Sequence, residues 1–278
     1  MSKETVLQDL GKNSDHEIPL AETALLLSAT YSAGIDLGRY RTHLEKIVEE
    51  VGSRFKALRD AGADDSAETR LAALKHIISD QYQYSGDTEN YDDLQNADLV
   101  RVIDRRKGLP IALAIITLHA AHAQGWVMEG LNFPGHFLLR LEVGSQRLIT
   151  DPFNNFQIMQ APDLRALLKK IAGPEAELAA SYYESATSRD VLIRLQNNIK
   201  HRQIEHEDYI GALETVEQMR LIAPLENRLL FDSGVLYART GHIIKAIDVL
   251  EDYLKHAVGQ KDRYDAQLFL STLRDSLQ

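Results

Sequence analysis

The sequence predicts an α+β fold: a mostly helical domain over residues 1–173 with a small antiparallel sheet, then an all-α helical array over 174–278. Three observations carry this prediction. The segment 109–121, opened by Gly108-Leu109-Pro110, is apolar on nearly every side, as a buried central helix must be. Directly after it, between Val127 and Thr150, apolar residues change from helical spacing to alternation. Beyond Gly173-Pro174, the clearest break in the chain, the pattern is helical throughout.

Residues 1–16 are polar and read as frayed. A short apolar helix follows over 18–30, started by Pro19. Leu37, Tyr40, Leu44, Ile47, Val48, Val51, Phe55 and Leu58 recur at steps of three and four and share one helical face. Ala61-Gly62-Ala63-Asp64-Asp65 ends that helix, and the next buries Leu71, Leu74, Ile77 and Ile78. Residues 82–93 carry Gly86, three tyrosines and several Asp and Asn residues, which favour turns by bonding their own backbone. A helix is expected over 96–106, terminated at Gly108 in the left-handed region. Pro110 suits the first turn of the next helix, where a missing N–H costs nothing.

That helix should run to Gln124 and stop at Gly125, with Trp126 entering the core. Strands are predicted over 127–131, 136–143 and 146–150, the last two joined by a Gly144-Ser145 turn. Leu138 breaks the alternation, so that strand should be covered on both faces. A helix over 162–171 closes the domain. Downstream, Ala212-Leu213-x-x-Val216-Glu217 matches Ala246-Ile247-x-x-Leu250-Glu251, an offset of 34 residues. A last helix runs over 261–277. The 34-residue helix–turn–helix period resembles a tetratricopeptide array.

Composition limits the chemistry. With 31 Lys and Arg against 41 Asp and Glu, the net charge is −10, so no nucleic-acid partner is expected. The chain has no cysteine, which excludes disulfides, thiolate metal sites and a thiol nucleophile. The polar N-terminus has no signal-peptide core, and the longest apolar run is well short of the roughly 20 residues a membrane span needs. A soluble, cytoplasmic protein without a cofactor is expected.

Gly108-x-Pro110, Gly135-His136 and Asp151-Pro152 occur in an order that resembles the transglutaminase-like fold, the papain-related group with a Cys-His-Asp triad. A hairpin turning at Gly144-Ser145 would set His136 beside Asp151. The position matching the family's cysteine is Pro110, and the first helical turn offers no serine or threonine; Thr117 lies about two turns deeper. His136 and Asp151 thus read as a triad remnant. A cleft filled by Tyr84, Phe133 or Phe153 would argue against chemistry there.

A wider set, Tyr84-Ser85-Gly86, Tyr91-Asp92-Asp93, the run from Arg105 to Leu113, Phe133-Pro134-Gly135-His136-Phe137 and Asp151-Pro152-Phe153-Asn154, closely resembles the bacterial Sir-B-type proteins. That resemblance implies a transglutaminase-like core followed by tetratricopeptide repeats, and no established reaction. In this family an R-R-x-G-x-P-I motif commonly occupies the cysteine region, as here.

Other candidates are weaker. Arg105 and Arg106 could grip an anion or complement a helix dipole, with Asp92 or Asp93 as partners. His119 and His122, three apart on an apolar helix, read as core and not as metal ligands. In the repeats, Asn197, Asn198, His201, Arg202 and Arg228 could line a groove for a peptide. The resulting expectation is a non-catalytic protein-interaction or regulatory adaptor that binds a protein or peptide through its repeats. The rival is a hydrolase or transferase using His136 and Asp151. A transcriptional co-regulator is suggested by the family's name alone and opposed by the charge.

Overall fold

The computed structural model describes residues 2–28 and 35–277. Its helices are α1 (Lys3–Lys12), α2 (Leu20–Ser28), α3 (Gly38–Asp60), α4 (Ala67–Lys75), α5 (Leu99–Arg105), α6 (Pro110–Ala123), α7 (Ala161–Ala172), α8 (Ser188–Glu205), α9 (Tyr209–Ile222), α10 (Arg228–Arg239), α11 (Ile243–His256) and α12 (Gln260–Asp275). Its strands are β1 (Ser85–Gly86), β2 (Lys107–Gly108), β3 (Val127–Leu131), β4 (Leu139–Val143), β5 (Gln146–Asp151), β6 (Gln157–Ile158) and β7 (Ser185–Ala186). Two compact units emerge, one spanning Ile18–Leu195 and the other combining Met1–Glu17 with Gln196–Gln278.

The first unit is built around α6. Every side chain from Pro110 to Leu118 is buried, so the helix needs partners on all sides. It has them: α2, α3, α4, α5 and β3 all pack against it. Phe55 of α3 meets Trp126 edge-on at 5.1 Å. The sheet is antiparallel, in the order β6-β5-β4-β3-β7. Val143 pairs with Gln146 across a turn in which Gly144 takes φ 57°. Leu138, fully buried just before β4, joins Leu131, Phe133, Met159, Leu164 and Leu168 in one cluster, which accounts for its break in the alternation.

Several expectations need correction. The domain does not end at Gly173. That glycine stops α7 at φ 97°, but the chain then returns to add β7 to the edge of β3, which holds residues 174–195 with the sheet. Helix α5 ends at Arg105 and is capped by Arg106, not by Gly108. Arg106 takes the left-handed conformation at φ 60° and its N–H bonds the Val102 carbonyl. Gly108 is needed for a different reason: a Cβ there would lie 2.8 Å from the Val102 side chain. Residues 82–93 are not wholly irregular, because β1 pairs in parallel with β2. His136 lies three residues before β4, not in it. The helix expected over 18–30 is present as α2, and its last residue, Thr30, falls outside the described residues.

In the second unit, residues 3–12 are not frayed. Ser2 caps α1 by accepting from the Thr5 N–H, and Leu7 is fully buried. Helix α1 packs on α9, and α9, α10, α11 and α12 pack in succession. Helices α9 and α11 are both 14 residues long, and bury Ala212 with Val216 and Ala246 with Leu250. A Cβ on Gly11 would meet the Leu221 carbonyl oxygen at 2.0 Å. Gly11→Ala should therefore loosen α1 from α9 at a cost of about 1–3 kcal/mol. Amide exchange over residues 3–12 should quicken; unchanged protection would show that close approach at Gly11 is not what holds the helix.

Candidate functional site

The β4–β5 register places the triad remnant at the open end of the hairpin. Leu139 pairs with Thr150, so the turn holding His136 and the last residue of β5, Asp151, lie side by side. His136 Nε2 donates to Asp151 Oδ2 at 2.8 Å. A carboxylate can only accept, so Nε2 carries the proton and, in the neutral ring, Nδ1 carries the lone pair. Nδ1 makes no hydrogen bond among the described residues.

Asp151 is fully buried. Its Oδ1 accepts from the Phe153 N–H at 3.0 Å, and its Oδ2 also accepts from Asn154 Nδ2 at 2.7 Å. Three donors converge on one buried carboxylate, and that is what makes burying the charge tolerable. Pro152 follows at the head of a short 3-10 turn over Pro152–Asn154, which carries Phe153 back against the site. Phe153 meets the His136 ring edge-on at 5.9 Å, and Tyr91 meets Phe153 at 5.8 Å. A Cβ on Gly86 would lie 2.5 Å from the Phe153 ring, so the glycine makes room for it.

Of the three aromatics that could fill the site, only Phe153 meets the His136 ring. Tyr84 bonds His43 instead, and Phe133 faces Tyr182. At the head of α6, the first turn is Pro110-Ile111-Ala112-Leu113, all hydrocarbon and all buried. Thr117 Oγ1 donates to the Leu113 carbonyl at 2.9 Å and is fully buried, so it serves its own helix. The site retains an oriented acid–base pair, and no thiol or hydroxyl lies in the first turn of α6.

One contributor has no sequence signal. Arg194, on α8, donates through Nη2 to the carbonyl of His136 at 2.6 Å and to that of Phe133 at 3.0 Å. Its guanidinium lies over the Phe137 ring at 5.1 Å, and burial pulls it below the usual arginine value. A single arginine thus holds the turn that presents His136. Asn154 was closer to legible, since a side-chain amide three residues after a buried aspartate can reach back to it.

Arg105 and Arg106 separate. Arg105 donates to Asp87 at 2.7 Å and to Asn96 at 2.9 Å, so neither Asp92 nor Asp93 is its partner and its charge is met internally. Arg106, turned aside by its left-handed backbone, reaches His43 and Tyr84. His122 bonds the Met128 carbonyl at 2.7 Å but is exposed at the end of α6, so it is not the core residue expected. Among the repeat residues, His201 and Arg228 are exposed, and Asn197 and Asn198 are half-buried. Arg202 is buried and bonds the Asn198 carbonyl and side-chain oxygen along its own helix, because a guanidinium that leaves water must find acceptors. Arg228 shares Asp232 with Lys200, at 3.4 and 2.6 Å. Among the described residues no helix is long and apolar enough to cross a membrane.

The chain is 29% identical to a UPF0162 protein of Xylella fastidiosa over 250 residues, 89% of this chain and 87% of that one. A UPF0162 protein of Vibrio cholerae is 27% identical, covering 85% and 86%. F-box only protein 21 of Mus musculus is 26% identical over 199 residues, 65% of this chain and 31% of that protein. The sequence model of the transglutaminase-like superfamily matches residues 38–197. That match takes in more than half of the chain, including α6, His136 and Asp151, and the chain therefore belongs to the transglutaminase-like superfamily.

Proposed function

We propose that the chain is a non-catalytic interaction or regulatory adaptor, a Sir-B-type protein in which a transglutaminase-like domain without a nucleophile is joined to tetratricopeptide-like helices. One observation carries this reading: the turn that would present a nucleophile to His136 begins with Pro110 and holds only buried hydrocarbon. General acid–base help without a nucleophile supplies only about 10²–10⁴-fold. The 34-residue offset between matched helices α9 and α11 supports the repeat assignment, and the exposed His201 and Arg228 give a peptide a polar surface to bind. In F-box only protein 21 the matching segment is about a third of the chain, as suits a module within a larger protein.

His136 Nδ1, which makes no hydrogen bond among the described residues, favours a second reading, a hydrolase in which that nitrogen activates water. The two readings diverge in a direct assay. The full chain should hydrolyse p-nitrophenyl acetate, and join an amine to a glutamine peptide, no faster than buffer, with His136→Ala indistinguishable from wild type. Turnover that disappears in His136→Ala would establish the hydrolase. For the adaptor, proteins captured by wild type should be lost with His201→Glu/Arg228→Glu. An identical set would remove the helical surface from the proposal.

A further inference from the structure

We propose that the cavity beside Arg106 binds a small phosphate monoester, with the phosphate gripped by the Nε–Nη2 edge of Arg106 and by Lys107. The cavity, about 550 Å³, is walled in part by Tyr82, Tyr84, Ser85, Arg106 and Lys107. It forms because β1 and β2 pair in parallel, Ser85 opposite Lys107, which brings segments 82–85 and 105–107 together. Arg106 is held by its backbone on two sides: its N–H bonds the Val102 carbonyl at 2.8 Å, and its carbonyl accepts from the Ser85 N–H at 3.0 Å.

The charges around the cavity are unequal. Arg105 is met by Asp87. Among the described residues Lys107 has only a loose pair with Glu89 at 3.3 Å, and Glu89 is 77% exposed. Such a pair is worth little and is readily exchanged. Arg106 has no carboxylate partner among the described residues. The nearby acids are engaged elsewhere, Asp104 with Arg39 and Tyr40, and Glu50 with Gln81 and Lys46.

Among the described residues Arg106 bonds through one side-chain nitrogen, Nη1. Nη1 donates to His43 Nε2 at 2.5 Å and to the Tyr84 hydroxyl. His43 must then offer a lone pair, and burial with the Arg106 charge pulls its pKa down to about 4, so it stays neutral. The guanidinium also lies over the rings of Tyr84 and Tyr82, at 4.8 and 5.5 Å. These contacts fix its plane and leave Nε and Nη2 without partners among the described residues. The same edge grips a carboxylate twice elsewhere in this protein, in Arg41 with Glu22 and in Arg70 with Asp65. A partly buried cation with a pre-set, unused fork is suited to a planar or tetrahedral oxyanion.

A second cation at Lys107 favours a dianion over a carboxylate. The volume far exceeds that of phosphate alone and falls within the range of small-molecule sites, about 300–1,000 Å³, so the ester's organic part has space beside Tyr82 and Tyr84. This inference stands apart from the adaptor reading, since the cavity does not include His136, Asp151 or Pro110.

The test is calorimetric titration of the full chain, at constant ionic strength, with inorganic phosphate, glucose 6-phosphate and acetate. Saturable binding of both phosphates is expected, with the ester tighter and acetate weakest. Arg106→Asn, which suits the left-handed backbone, should weaken phosphate about tenfold or more, and Lys107→Gln by about three- to tenfold. Arg106→Lys keeps the charge without the fork and should fall between wild type and Arg106→Asn. Absence of saturable phosphate binding overturns the proposal, as does acetate binding as tightly as phosphate. If Arg106→Asn does not fold, Lys107→Gln and Arg106→Lys decide: wild-type affinity in both removes the site.

Discussion

Asp151→Ala should lower folding stability by about 3–5 kcal/mol, the cost of breaking a buried, hydrogen-bonded charge site. The carboxylate is fully buried and accepts from the Phe153 N–H, Asn154 Nδ2 and His136 Nε2. Alanine strands all three donors where water cannot easily replace the acceptor. Asp151→Asn should cost less, about 1–2 kcal/mol. Its oxygen can still serve one donor, and His136 can shift its proton to Nδ1 and accept from the new amide. His136→Ala removes one donor and should lower the melting temperature by a smaller amount. Urea unfolding of the three variants measures this order. A double-mutant cycle should then show positive coupling between His136 and Asp151, in the range of about 0.5–3 kcal/mol. If Asp151→Ala unfolds within 1 kcal/mol of wild type, the pair is not a structural support and its retention has another cause.

Arg194→Met should cost about 2–4 kcal/mol and shift the NMR resonances of His136. Methionine fills much of the same space but leaves the carbonyls of Phe133 and His136 without their donor. It also removes the guanidinium from the face of Phe137. Arg194→Lys tests geometry against charge. An ammonium is a point donor and cannot span both carbonyls from a fixed plane, so about half the loss should remain. The His136 signals separate positioning from bulk stability. A destabilised Arg194→Met with an unmoved His136 ring would show that the arginine supports α8 and not the turn.

The pairing of His136 with Asp151 is legible in the residues alone. The Leu109–Pro110 junction, the all-round apolar character of α6 and the Gly144-Ser145 turn are local patterns, and local patterns report secondary structure directly. The fifteen-residue spacing from His136 to Asp151 then made their pairing a geometric consequence of the hairpin. What escaped was long-range. The two-residue pairing of β1 with β2 is too short to leave a period. Leu7 sits in a polar stretch and finds its partner in a helix some two hundred residues later. Arg105 and Arg106 look alike in the chain, yet a single left-handed residue sends one to Asp87 and the other to His43 and Tyr84.

The sequence by itself determined the helix that organises the domain, the hairpin that carries His136 and Asp151, and the lack of any thiol to complete them. Each follows from residue type and spacing within one or two adjacent elements. Only the tertiary structure decided where the domain ends, that Arg194 holds the His136 turn, and that Arg106 keeps an unused fork. Those depend on which distant group occupies the other side of a contact. A hydrogen-bonding side chain shows what it can bind, and only the packed chain shows what it has already bound.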